Sequence, residues 1–170
     1  MKHSRPGLKE LGITAEMLDA CVLPVYPEAT RLVDAGQDMF GRSQQMTAPT
    51  RDAWLAMVEA ATSMQIELQL VSAYRSVEYQ CNVIRSKLDA GRTIEEILRV
   101  NALPGHSEHH TGRAVDLSSR DCAPLTEAFE TTSAFAWLTK HAARFGFELS
   151  YPRGNPMGIK YEPWHWAHQD

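Results

Sequence analysis

The chain has 170 residues, 44% hydrophobic and 22% charged, with a formal net charge of -4. Such values belong to folded protein, and they exclude a disordered or low-complexity chain. No long run of Lys or Arg occurs, which disfavours non-specific binding to nucleic acid or to an anionic membrane surface. The length favours one domain around one main core. Cys21, Cys81 and Cys122 lie far apart with no C-x-x-C, so they read as buried thiols rather than a disulfide framework or a cysteine zinc site. The N-terminal "MKHSRPGLKELGIT" lacks the apolar core of a signal peptide. No stretch approaches the roughly 20 apolar residues of a membrane span. The chain as written is expected to be cytoplasmic, and periplasmic or cell-envelope if a leader was removed.

Residues 1–46 read as a polar, irregular arm with short helical pieces, among them "TAEMLDACV" with Thr14 as a cap. "TAPTRDAWLAMVEAATSM" predicts a helix with Thr50 as N-cap and an apolar stripe of Trp54, Leu55, Met57, Val58 and Ala61. "IELQLVSAYR" alternates, with Ile66, Leu68 and Leu70 on one face, as in a half-buried strand. "SVEYQCNVIRSKLDAG" predicts a helix capped by Ser76 and stopped at Gly91. "TIEEILRV" opens with a capping box from Thr93 to Glu96, and Pro104-Gly105 marks a turn. "RAVDLSS" is a short strand, and "SAFAWLTKHAARFG" is a helix stopped by Gly146. "FELSYP" and "IKYEPWHWAH" are two strands joined by a Gly/Pro/Asn-rich loop. Helices around a few non-contiguous strands predict an α+β fold with a small, mainly antiparallel sheet flanked by helices.

Chemistry concentrates in "PGHSEHHTGRAVDL", which holds His106, His109, His110 and Asp116. Catalytic zinc sites use about three His, Asp or Glu ligands and keep one position for water. In a strand, Ala114 and Asp116 share one face, which leaves space for an ion beside the carboxylate. The segment alone does not choose a histidine. A polar surface loop, with Asp116 capping a neighbour, fits the same letters. In "YEPWHWAH", Glu162 and His165 would face opposite sides of a regular strand, but an irregularity at Pro163 can bring them together. Trp164 and Trp166 then face into packing. Arg75, where a strand meets the helix capped by Ser76, is placed to meet a carboxylate or a polarised carbonyl.

Ser107-x-His109-x-x-Gly112-x-Ala114-x-Asp116, followed by Glu162-Pro-Trp-His165, resembles the zinc D-alanyl-D-alanine carboxypeptidases of the VanY type. The wider group includes VanX dipeptidases and phage L-alanyl-D-glutamate endopeptidases. "SAYRS" with Gln80, and "FGFELSYP", are similar to the family as well, so the resemblance runs from about residue 66 to 168. It implies a Hedgehog/DD-peptidase-like fold and a zinc peptidase domain over 1–170, with an arm to residue 50 and a catalytic core over 51–170. It implies one Zn²⁺ held by His109, Asp116 and His165, with Glu162 as general base and Arg75 as electrophilic helper at the scissile carbonyl. Ser107, Gln80 and Tyr151 would contact substrate. His106 and His110 would be loop or supporting residues, His141 and His168 structural or solvated, and His3 disordered; Glu108, next to a ligand, reads as an exposed charge, with support of the neighbouring ligand as the alternative. The implied activity is removal of a terminal D-Ala from a peptidoglycan stem or precursor peptide by a monomer. L-alanyl-D-glutamate endopeptidase and D-Ala-D-Ala dipeptidase are the alternatives.

Overall fold

The computed structural model describes residues 7–169. His3 lies outside them. In chain order the elements are α1 (Ala15–Ala20), β1 (Val33–Gln37), β2 (Ser43–Met46), α2 (Ala48–Ser63), β3 (Gln69–Ser72), α3 (Val77–Asp89), α4 (Ile94–Leu98), β4 (Ala114–Ser118), α5 (Ser133–His141), β5 (Phe147–Leu149) and β6 (His165–His168), with single 3₁₀ turns between some of them. β3, β4, β6 and β5 form an antiparallel sheet in that order, and β1 pairs with β2 in a separate hairpin. The expected α+β class is what the chain adopts.

β4 lies inside this sheet, between β3 and β6, and all five of its residues are buried. Val115 and Leu117 face a core with Trp54, Met57, Trp137, Leu138, Phe147 and Trp166. Such burial contributes roughly 1.5–3 kcal/mol per large apolar side chain. Asp116 is therefore held on a strand that cannot shift without exposing that core.

Several boundaries depart from the expectations. The helix at 48–63 begins after Thr47, with Pro49 in its first turn, and not after Thr50. Thr50 is buried inside it and Leu55 is exposed. The strand over 66–75 shortens to β3, with a bulge between Leu70 and Ser72 where two residues face one of β4. An extra residue bends a strand and breaks its alternation, so Leu70 and Val71 are both buried. Thr14, Ser76 and the Thr93–Glu96 capping box act as read. The last helix ends at His141 and continues as a 3₁₀ turn to Phe145, closed by Gly146 at φ 77°.

The irregular arm is the largest correction. Over its described residues it supplies Leu8, Leu11 and Ile13 to a second cluster under α3 and α4. It also contains the β1–β2 hairpin, which docks on the C-terminal end of β3 through Met39 N to Leu70 O (2.8 Å) and Tyr74 N to Gln45 O (3.1 Å). "VDAGQ" and "SQQM" carry almost no apolar alternation, so periodicity could not reveal them. A buried carboxylate organises the hairpin loop. Asp38 accepts from Phe40 N at 2.8 Å, Arg42 N at 3.0 Å, Arg42 Nε at 2.7 Å and Gln44 Nε2 at 2.8 Å.

Burial pushes the Asp38 carboxyl up, but the Arg42 and Phe40 amides and the Arg42 guanidinium together hold it below its ordinary value of 3.8. A carboxyl depressed in the folded state stabilises above the unfolded pKa, and that stability is lost as pH falls through and below it. Asp38→Asn is expected to cost about 1.5–3 kcal/mol in urea unfolding at pH 7. The gap from the parent should shrink as the pH is lowered below 3.8. A pH-independent gap would mean that the charge is not what organises the loop.

Candidate active site

A 3₁₀ turn at Glu108–Thr111 carries His109, and Ser107 caps it by accepting from His109 N at 3.3 Å. Gly112 closes the turn at φ 68°. A Cβ there would lie 2.8 Å from Leu32 Cδ2 and 3.3 Å from Thr47 N. The left-handed backbone and the close approach both demand glycine. The chain thus passes from the turn directly into β4 and Asp116.

His109 Nδ1 lies 2.6 Å from the Ala73 carbonyl, which only accepts, so this nitrogen carries the proton. Its Nε2 keeps the lone pair. That atom is buried with no hydrogen-bond partner, 3.2 Å from Asp116 Oδ2 but not aligned on it. Burial, aided by the Arg75 charge, pushes His109 down to about 4, so the ring is neutral near pH 7. Asp116 stands opposite His165 in the β4–β6 register, with Oδ1 3.1 Å from His165 Nδ1. Burial opposes its charge, but His109 and His165 hold the carboxyl far below the usual range. His109, Asp116 and His165 bring ligand atoms within 4.8 Å of one another, all three buried. Two imidazoles and a carboxylate, with one orphaned lone pair aimed at the shared space, suit a catalytic zinc ion.

Glu162 and His165 do share one side, as the proline irregularity allowed. A turn at Pro163-Trp164 is closed by His165 N to Glu162 O at 3.2 Å and Trp166 Nε1 to Pro163 O at 3.0 Å. Glu162 Oε2 lies 3.8 Å from His165 Nδ1. Burial raises the Glu162 carboxyl to about 7, although His165 pulls it down. Such a carboxyl can both take and give a proton near neutral pH. Arg75 reaches the same space, with one guanidinium nitrogen 3.5 Å from Asp116 Oδ2 and another donating to Gln80 Oε1 at 3.1 Å. Gln80 is buried and donates on to Ala102 O at 2.8 Å. Tyr151 packs its ring 4.8 Å from that of His165. All of these, with Ser107, line one cavity of about 400 Å³. Trp166 is buried, whereas Trp164 packs only partly and also lines the cavity.

Glu108 overturns its reading as an exposed charge. Its carboxylate accepts from His165 Nε2 at 2.7 Å, from Ser150 Oγ at 2.6 Å and from Tyr26 OH at 3.5 Å. Burial alone would lower His165, but hydrogen bonds to Asp116 and Glu108 win and raise it to about 10. An ion bound at Nδ1 would displace that proton and leave Nε2–H on Glu108. In a 3₁₀ turn neighbouring side chains stand roughly 120° apart, so Glu108 and His109 approach the His165 ring from two sides. The adjacent acid in "SEHH" was the only available hint. His110 holds the Arg75 carbonyl through Nδ1 at 2.7 Å and accepts from Gly105 N at 3.0 Å. His106 lies 2.9 Å from Leu23 O, His168 lies 3.2 Å from Thr50 Oγ1, and His141 stacks near Trp137. None of the four belongs to the three-ligand cluster.

The VanY D-alanyl-D-alanine carboxypeptidase family model matches residues 43–170. The chain belongs to this family. It is 39% identical over 119 residues to the putative carboxypeptidase YodJ of Bacillus subtilis, covering 67% of this chain and 42% of that protein. It is 29% identical over 120 residues to the bifunctional D-Ala-D-Ala dipeptidase and carboxypeptidase VanXYC of Enterococcus gallinarum, covering 68% and 62%. The chain thus spans less than two thirds of either relative. Among solved structures, the LdcB LD-carboxypeptidase superposes with a TM-score of 0.74 at 32% identity, covering 85% of this chain and 71% of that one. A VanY D,D-pentapeptidase solved with Zn(II) superposes at 0.65 and 23%, covering 87% and 85%, which shows the shared fold.

Glu108→Ala is expected to weaken Zn²⁺ binding roughly 10- to 100-fold, as loss of a carboxylate behind a metal histidine does elsewhere. Competition with a chromophoric chelator measures it, and Glu108→Gln, which still accepts from Nε2–H, should retain most of the affinity. Gly112→Ala should lower folding stability by about 1–2 kcal/mol or more from its backbone alone, read by thermal unfolding of the metal-free protein.

Proposed function

We propose that the protein is a zinc carboxypeptidase that removes a terminal D-Ala from peptidoglycan-type peptides. The observation that carries this reading is the convergence of Glu162, its carboxyl raised to about 7, and the Arg75 guanidinium on the space enclosed by His109, Asp116 and His165. Family membership supports it.

His109 Nε2, Asp116 and His165 Nδ1 would hold the ion, and Zn²⁺ there supplies Lewis acidity that acidifies water and polarises a carbonyl. Glu162 takes the proton of the attacking water and passes it to the leaving amine. Arg75 sets a fixed cation beside the carbonyl oxygen as negative charge builds on it. Gln80 keeps the guanidinium in place, and Ser107 and Tyr151 wall the pocket beside it. A walled cavity limits water and strengthens each of these interactions.

The 32% identity with the LdcB LD-carboxypeptidase favours a second reading, in which D-Ala is released from an L-residue instead of from D-Ala. Zinc-loaded protein incubated with peptides ending in D-Ala-D-Ala and in L-Lys-D-Ala separates the two by which peptide yields D-Ala. Glu162→Ala should slow release roughly 10²- to 10⁴-fold while zinc stays bound. Release of intact D-Ala-D-Ala, cleavage at L-Ala-D-Glu, or full activity in Glu162→Ala would each overturn the reading.

A further inference from the structure

One wall of the cavity carries cations that the chemistry above does not use. Gln80, Ile84 and Lys87 lie on one stripe of α3, and Gln80 and Ile84 are buried. Lys87 starts roughly 10 Å along the axis from Gln80, but helical side chains lean toward the N-terminus, so its ammonium returns toward Gln80. Both side chains reach the same segment. Gln80 Nε2 donates to Ala102 O, and Lys87 Nζ donates to Asn101 Oδ1 at 2.9 Å. Asn101 is itself oriented by its Nδ2 donating to Ile97 O at 2.9 Å.

Lys87 is half-buried and lines the cavity together with Arg75 and Arg92. Burial lowers its pKa and Arg92 and Arg75 lower it further, with the Glu162 carboxylate opposing them. Among the described residues it forms no ion pair. A partly desolvated cation beside two others, with Glu162 the acid that opposes them, gains from an arriving anion. The cavity wall therefore runs from Arg75 through Gln80 to Lys87.

We infer that Lys87, held by Asn101, binds the free α-carboxylate of the residue on the leaving side of the scissile bond. This rests on the carboxypeptidase reading. With the scissile carbonyl at Arg75, the terminal carboxylate carbon lies within roughly 4 Å of the scissile carbon, on the leaving side. Lys87 stands beyond Gln80 on the wall next to Arg75. A substrate whose leaving-side residue continues through an ordinary α-amide presents no charge there and would gain nothing from a buried ammonium.

The test is calorimetric titration of the zinc-loaded Glu162→Gln protein with N-acetyl-L-Lys-D-Ala-D-Ala, as the free acid and as the C-terminal amide. The acid should bind at least roughly ten-fold more tightly than the amide, as loss of a charged hydrogen bond implies. Adding Lys87→Met should remove that preference by weakening the acid alone, and Lys87→Arg should keep part of it. An unchanged acid-to-amide ratio in Lys87→Met overturns the inference. So does equal weakening of both peptides, which would mark a structural role, or no binding of either by the parent. Acid-selective binding without D-Ala release by the Glu162 protein would instead sink the carboxypeptidase reading and leave the carboxylate site standing.

Discussion

The pairing of β4 with β6 is the constraint on which the site depends. It sets Asp116 opposite His165 and draws a carboxylate and an imidazole to within 3.1 Å. A register slip of one residue would turn every side chain of a strand to the other face. Here a slip would also pull Val115 and Leu117 out of the core and Trp166 off it. The apolar residues that alternate with the ligands thus fix the ligand geometry. The core and the candidate metal centre are two faces of the same strands.

The rest of the site hangs from that pair through backbone contacts. The β3 bulge carries the chain to Ala73, whose carbonyl sets the tautomer of His109, and then to Arg75. Arg75 N donates to His109 O, and His110 grips the Arg75 carbonyl, so the segments bearing the cation and the first histidine are tied to each other. Glu108 does the same for His165 from the other side, with Ser150 and Tyr26 completing its shell. Two imidazoles with opposite ring nitrogens aimed inward are therefore set by two different acceptors, one a carbonyl and one a carboxylate.

Charge is unevenly spread over this framework. Asp116 and Glu162 line the cavity beside the histidines, with Glu108 behind His165, and Arg75, Lys87, Arg92 and Lys160 line it as well, together with Glu127. The carboxylates suit a divalent cation and a proton shuttle, and the cations suit an anionic peptide end. A hydrolase that acts at a chain terminus needs both polarities, since the reacting bond and the terminal carboxylate are less than a residue's length apart.

Much of this was legible in the letters. The helices announced themselves through caps such as Ser76 and Thr93, the β4 strand through a short apolar run, and the candidate ligands His109, Asp116 and His165, with Glu162 as base, through their spacing once the family pattern was seen. What the letters withheld was whatever depends on distant segments meeting. The β1–β2 hairpin is polar and is held by Asp38 and by the end of β3, not by its own periodicity. Glu108 looks like any surface acid until the 3₁₀ turn aims it at a ring fifty-seven residues away. Lys87 looks like any helix lysine until Asn101 holds it on the cavity wall. The letters alone say which residue types can hold an ion and move a proton, because ligand chemistry is a property of side chains. Only the tertiary structure decided which nitrogen of each histidine faces inward, which acid supports which ring and which cation lines the cavity, because hydrogen bonds and burial are set by neighbours in space.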